Sequence, residues 1–392
     1  MKVLERAAGH ASGPYRVPSI DVDSVAVRTN NPVCGAFRGF GANQAQFAME
    51  GVMDRLAAKV GISGWEIRKR NVIRPGEVWG PGQVMDDGSA GAEVCLDEVK
   101  DRYDAAVADG KIVGLGLGLK NSGLGNGFRE VSGAVIRFRS SDGRVEVRHS
   151  WTEMGQGVHT VALQVAAEEL GIDPNLIDVI VDTTRELGFG QTTGSRGTLM
   201  AAGAVSAACR VADEGGRQPD VDYHAEHIVD WTQKLGDPEN PNPTIHAAFG
   251  YATQLVIMDR DTGTIEEVVA IHDVGRAMNP LLCEGQIEGS VHMGLGYALS
   301  EDFPSDERGF PTNMTLRSLG ILRPKDIPTI TVQLVEVPQP KAPYGVKGVG
   351  EIGLVPTSGA VAAALHELDG EWRSVLPMRR DAPEPARSGA AR

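Results

Sequence analysis

Apolar residues recur at helical spacing through ANQAQFAMEGVMDRLAAKVG (42–61), and the stretch ends at a glycine, which predicts a helix. ISGWEIRKRNVI (62–73) predicts a shorter second helix, and LDEVKDRYDAAVADG (96–110) and VHTVALQVAAEEL (158–170) two more. Further helices are expected at 199–212, near 280–299 and at 356–368. Strand patterns alternate with them. KIVGLGLGLKNSGLGNG (111–127) is strand-like but punctuated by glycine, and SGAVIRFRSSDGRVEVRHSW (132–151) holds two strands around the hairpin signal Asp142-Gly143. IDVIVDTT (177–184), the segments flanking Asp261-Thr262-Gly263, and 329–336 read as further strands. IDVDSVAVRT (20–29) also alternates polar and apolar residues and predicts a strand, following a short helical end with nothing before it to pair with. Residues 213–245 give no clear pattern. Strand–strand–helix–strand–helix thus occurs twice, which predicts two related α+β subdomains without evident sequence identity. RPGEVWGPGQVMDDGSAGAEVC (74–95) is rich in Gly, Pro and Asp and predicts a linker at 76–95.

Composition narrows the class. A chain of 392 residues with 41% hydrophobic and 23% charged residues fits a globular protein of two to three domains, not a disordered one. No apolar run approaches the roughly 20 residues of a spanning helix. The net charge of −14 argues against nucleic acid as a partner. Cys34, Cys95, Cys209 and Cys283 are far apart and form no CxxC, so no locally spaced zinc or iron–sulfur site is predicted. The start, MKVLERAAGHASG, lacks the apolar stretch of a secretory signal, and a cytoplasmic location is expected. The tail DAPEPARSGAAR (381–392) reads as disordered.

The chemistry concentrates where loops meet helix starts. CGAFRGFGANQ (34–44), TEMGQGVHT (152–160), GQTTGSRGT (190–198) and GVKGVGEIGLVPTSG (345–359) are Gly- or hydroxyl-rich and run into predicted helices. Helix N-termini present unpaired N–H groups and partial positive charge, and glycine lets an anion approach. Four such ends would surround one large anionic cofactor; each alone is equally a capped helix after a tight turn. None fits GxGxxG after a strand or GxxxxGK[ST], so neither a Rossmann nor a P-loop site is predicted.

FRGFG (37–41), TEMGQGVHT (152–160), HDVGRAMNPLLCEGQIEG (272–289) and GVKGVGE (345–351) together resemble the molybdenum-cofactor subunit of the xanthine dehydrogenase / aldehyde oxidase family. The motifs stand in the family's order, and the resemblance runs to about Met378. The segment 223–254 and the stretch from His272 to Pro304 are most similar to the selenium-dependent xanthine, or purine, hydroxylase branch. The implied fold is α+β: residues 1–75 as the C-terminal part of a first molybdopterin-binding domain, and 96–378 as a second, with subdomains at about 96–245 and 246–378.

The resemblance also implies roles. Glu351 would be the catalytic general base in oxidative hydroxylation of an N-heterocycle, with water as oxygen donor; outside its motif it is one loop acid among 52 acidic residues. Gln156, between Gly155 and Gly157, would bond the cofactor, since an amide donates and accepts at once; otherwise it is a surface residue at a helix start. Thr192, Ser195, Arg196 and Thr198 would contact the pterin or its phosphate, with Thr198 also able to cap the following helix. Arg38 and Gln286 would support the cofactor, and Phe40 would stack on a flat substrate unless it is an ordinary core residue. His272 would be a structural hydrogen-bonder, and no side chain would ligate the metal. The implied cofactor is molybdenum–molybdopterin, with the cytosine dinucleotide form among the options. FAD and [2Fe–2S] clusters would sit on separate flavin and iron–sulfur partner subunits, and a homodimer of the assembled complex fits the same pattern.

The chain also departs from the family. The family's long N-terminal region, with its FGG-type loop and substrate-facing Glu and Arg, has no match here, so an N-terminally truncated or split chain is expected. The segment after Cys209 looks shortened, and Cys34 sits one place away from the carbon monoxide dehydrogenase position. Three readings remain: a purine hydroxylase subunit, a hydroxylase of another substrate such as nicotinate or an aldehyde, and a non-catalytic remnant.

Overall fold

A computed structural model describes residues 2–30, 35–188, 190–236, 238–312 and 315–378; Cys34 and the tail lie outside these. In chain order the helices and strands are α1 (Lys2–Gly9), α2 (Ala42–Val60), α3 (Gly64–Asn71), α4 (Ala90–Glu98), α5 (Lys100–Ala108), β1 (Ile112–Asn121), β2 (Glu130–Phe138) and β3 (Val145–His149). There follow α6 (Val158–Leu170), β4 (Ile177–Val181), α7 (Gly197–Glu214), β5 (Asp222–Val229), β6 (Phe249–Met258), β7 (Ile265–Asp273), α8 (Pro280–Leu299), β8 (Thr329–Val335) and α9 (Thr357–Asp369). Among the described residues no helix is long and apolar enough to cross a membrane.

The expected repeat is present as β2–β3–α6–β4–α7 and β6–β7–α8–β8–α9. In each half two strands form an antiparallel pair, and the third returns through a helix to lie parallel to the second, as a crossover requires. The sheet orders are β4-β3-β2-β5 and β1-β6-β7-β8. The outer fourth strands are exchanged. β1 precedes the first hairpin but pairs antiparallel with β6; β5 precedes the second hairpin but pairs with β2. The subdomain boundary expected at about 245 therefore does not describe the sheets, because 112–121 belongs with the later half.

Two further expectations change. The alternating segment 20–29 forms no strand, and Val25 and Val27 are 72% and 76% exposed. Alternation marks extended chain, whereas a strand also needs a neighbour's hydrogen bonds. The segment 76–95 is not a solvated linker. Trp79, Met85 and Cys95 are buried with Tyr15, Leu117 and Tyr251, and Trp79 Nε1 donates to Gly13 O over 3.1 Å. Its glycines and prolines serve turns inside a packed region.

The sheets are covered differently. α6 and α7 pack on one face of β4-β3-β2-β5 through Val161, Val165, Val205 and Ala208. The other sheet is clad on both faces: residues from α2 to α5 cover one through Ala92, Leu96 and Val99, and α8 and α9 the other through Val291, Leu295 and Val361. Every residue of β1 and β6 is buried as a result. The glycines of β1 recur on one face because α9 rests on strand backbone: a Cβ at Gly116 would lie 2.4 Å from Pro356 O.

Candidate active site

Five loops that enter helices converge on one cleft of about 620 Å³. Residues 36–40 lead into α2, 154–158 into α6, 192–198 into α7, 274–286 into α8, and 346–351 toward α9. The four crossover loops all leave the carboxyl ends of β3, β4, β7 and β8, the side on which open mixed sheets collect ligands. Arg38, Phe40, Gly155, Gln156, Thr192, Ser195, Arg196, Thr198, Gln286 and Glu351 all line this cleft. Gly157 does not. It is the left-handed N-cap of α6, with φ 88, and a Cβ there would meet Leu282 at 2.6 Å.

Glu351 stands on the second-half wall. Its Oε2 lies 3.2 Å from Lys120 Nζ and accepts from Ser195 Oγ over 3.4 Å. Burial pushes the Lys120 ammonium below its ordinary pKa, and Glu351 opposes that shift. The preceding residue is anchored by Arg38, whose Nε donates to Gly350 O and whose NH2 donates to Gln286 Oε1 over 2.9 Å. Gln286 is thus bonded to Arg38 as well as facing the cleft. Behind the turn, Gln254 Nε2 donates to Gly353 O over 2.6 Å and Thr357 Oγ1 to Gln254 Oε1 over 2.7 Å, both buried. Lys347 and Asp273 form a fully buried ion pair below the same loop, and Lys347 Nζ also donates to Gly88 O over 2.7 Å. Burial raises the Asp273 carboxyl, with Lys347 working against the shift.

The first-half wall is built from amides and hydroxyls. Gln156 is engaged by its own loop: Oε1 accepts from Met154 N over 2.7 Å and Nε2 donates to Thr152 O over 2.8 Å. Thr192 Oγ1 donates to the same Thr152 O over 2.6 Å. The N-terminus of α6 is closed by Glu153, which accepts from the N–H groups of Gly155, Gly157 and His159. Burial pushes the Glu153 carboxyl up, but those backbone donors outweigh it and hold it below its usual range. The start of α7 is different. Its N-cap is Arg196 with no side-chain cap, and Thr198 lies inside the first turn and caps nothing. Arg196 is 7% exposed and pairs with Glu130 at 2.7 Å, while its Nε is buried without a partner.

Phe40 and Ser195, on opposite walls, hold left-handed backbone at φ 50 and φ 54, a strain commonest at functional sites. The two walls touch at Gly348, where a Cβ would lie 2.2 Å from Ser195 O. His272 is buried below the cleft with Nε2 3.3 Å from Gln254 Nε2, and burial drops its pKa to about 3.

The molybdopterin cofactor-binding domain family matches residues 90–220 and 213–328, and a second family of the same description matches 1–72. The chain belongs to the molybdopterin cofactor-binding domain family. It is 30% identical to a probable xanthine dehydrogenase subunit of Bacillus subtilis, over 97% of this chain and 56% of that protein. Among solved structures it resembles the aldehyde oxidoreductase of Desulfovibrio desulfuricans, with TM-score 0.85 and 26% identity over 96% of this chain and 44% of that one. It also resembles quinoline 2-oxidoreductase from Pseudomonas putida, with TM-score 0.76 and 25% identity over 97% and 56% of the two chains. The chain thus spans about half the length of the relatives it matches.

The donor set fits a molybdopterin cofactor. The open start of α7, the partnerless Arg196 Nε and the hydroxyls of Ser195 and Thr198 offer an anion site on one wall, with Arg38 and Gln286 on the other. Reading of the sequence missed Lys120, Glu130, Glu153 and the Lys347–Asp273 pair. Lys120 had a visible signal, as the one charge in the otherwise apolar IVGLGLGLKN. Glu153 is bonded within its own loop, whereas Glu130 and Arg196, and Lys347 and Asp273, are partners from distant parts of the chain, which no local motif shows.

Proposed function

We propose that this chain is the cofactor-holding part of a molybdenum hydroxylase that oxidises an N-heterocycle, xanthine or hypoxanthine in the first instance, with water as the oxygen source. When bound, the molybdenum–molybdopterin group supplies the two-electron oxidant. Arg196, Thr198 and Ser195 would hold its anionic end, Gln156, its amide bonded to its own loop, would shape the wall beside the pterin, and Arg38 fixes the loop of Glu351. Phe40 offers a ring face to a flat substrate. Glu351 takes the proton from the attacking oxygen, and the observation that carries this is its carboxylate on the cleft wall, bonded to Lys120 and Ser195. Iron–sulfur and FAD subunits would take the electrons, in line with a relative that is itself named as a subunit. The heterocycle reading is supported by the likeness to a quinoline oxidoreductase. An aldehyde substrate is the second reading, favoured by the likeness to an aldehyde oxidoreductase.

The test is Glu351→Gln in enzyme assembled with its partner subunits. Turnover falls by about 10²–10⁴-fold, the usual worth of a positioned base, while molybdenum content is unchanged. A panel of purines, nicotinate and aldehydes, run on unmodified enzyme, separates the two substrate readings. A folded chain that takes up no molybdenum in a cofactor-producing host, even with its partners, overturns both.

A further inference from the structure

Lys120 is 4% exposed, and its ammonium meets three acceptors: Glu351 Oε2 at 3.2 Å, Asn121 O at 2.8 Å and Asn121 Oδ1 at 3.0 Å. A lysine has three N–H groups and no lone pair to offer when charged, so these contacts use its whole donor capacity. A charge buried this deeply persists only when it is paired and fully bonded. Its place on β1 is equally constrained. Lys120 stands opposite Gly250 of β6, and a Cβ at Gly250 would lie 2.8 Å from Gly348 O. The strand pair therefore backs directly onto the loop that ends in Glu351.

We propose that Lys120 is a positioning residue for Glu351: it holds Oε2 of that carboxylate, leaving Oε1 to work on the cleft. The proposal rests on Glu351 being the general base. Other charged groups face this pair. Arg6 from α1 and Arg38 from the loop before α2 act on Glu351 as more distant cations, and Lys120 is the lysine in contact with it. His10, just after α1, and His246 from the segment before β6 face Lys120, and burial holds both well below the ordinary histidine pKa. Glu351 thus favours the charged form of Lys120 against the burial around it.

Coupling between two titrating groups is reciprocal, which gives a readout without turnover or molybdenum. In the full chain labelled with [15N]lysine, the Lys120 ammonium is titrated in the unmodified protein and in Glu351→Gln, which keeps the side-chain shape. Loss of the carboxylate lowers the protonation constant of Lys120 at least about tenfold; an unchanged constant overturns the proposal. The signal is assigned by its disappearance in Lys120→Met. In assembled enzyme, Lys120→Met lowers kcat at least about tenfold while KM and molybdenum content are kept. An unchanged kcat also overturns it. Should Lys120→Met fail to fold, the Glu351→Gln titration still decides, with assignment by Lys120→Arg. Full turnover in Glu351→Gln with the Lys120 shift present would sink the base reading and leave the coupling standing.

Discussion

The two halves share one strand order and differ in what covers their sheets. In the first half α6 and α7 cover one face of the sheet, and at its other face and hairpin Arg137, Arg139, Arg144 and Arg148 pair with Asp222, Asp142, Asp178 and Glu146, the arginines all partly exposed. The second half is clad on both faces and buries its charges, Lys347 with Asp273 and Lys120 beside Glu351. The same topology thus presents hydroxyls, amides and the Arg196 guanidinium from the first half and the Glu351 carboxylate from the second. Low dielectric strengthens a Coulombic contact and raises the penalty for leaving it unmade, so proton chemistry gains most from the drier wall.

The sharpest way to break this contrast is to exchange phenotypes across the cleft. Glu351→Gln loses turnover and keeps metal, whereas Arg196→Ala, on the opposite wall, loses molybdenum on purification in proportion to activity. Arg196→Ala enzyme with full metal content would end the assignment of binding to the first half. Next in size is the buried pair. Asp273→Ala leaves Lys347 uncompensated and lowers stability by about 3–5 kcal/mol in urea unfolding; a change near zero would mean that the pair does not need its partner. Gly116→Ala wedges a methyl between β1 and α9 and costs about 1–3 kcal/mol by the same measurement.

Acid acts on both halves alike. Burial lowers His272 to about 3 and His149 to about 4. Below the ordinary 6.5 the unfolded chain binds the extra protons, so stability is complete above that pH. It is lost as the pH falls toward those values, by about 1.4 kcal/mol per unit for each histidine. His272→Gln should flatten this slope between pH 6.5 and 4, and an unaltered slope would remove His272 from the account. Smallest of all, Arg144→Ala in the hairpin turn should leave the urea midpoint within error, since partly exposed pairs are screened.

Much of this architecture is legible from periodicity. The helices at 158–170 and 280–299 and the hairpin around Asp142-Gly143 are local patterns, and they stand where the sequence puts them. The α+β class and the repeated order follow from the same signals. The exchange of β1 and β5 does not, because a strand's pattern says which face is buried and not which neighbour it meets. β5 escaped altogether, since its pattern is diluted by polar residues at an edge. At the site, motif glycines and hydroxyls marked the loops, but bonding within the loops did not show. Nothing in MGQG tells that the Gln156 amide is bonded to its own backbone, or that Glu153 closes the helix start an anion was expected to use.

The exchanged strands bear on how the halves stay together. Each sheet is finished by a ribbon of chain that belongs, in sequence, to its neighbour. The cleft is therefore laced twice rather than hinged once. The halves are tied by two crossings of the chain, so cutting it at one point would not free one half from the other.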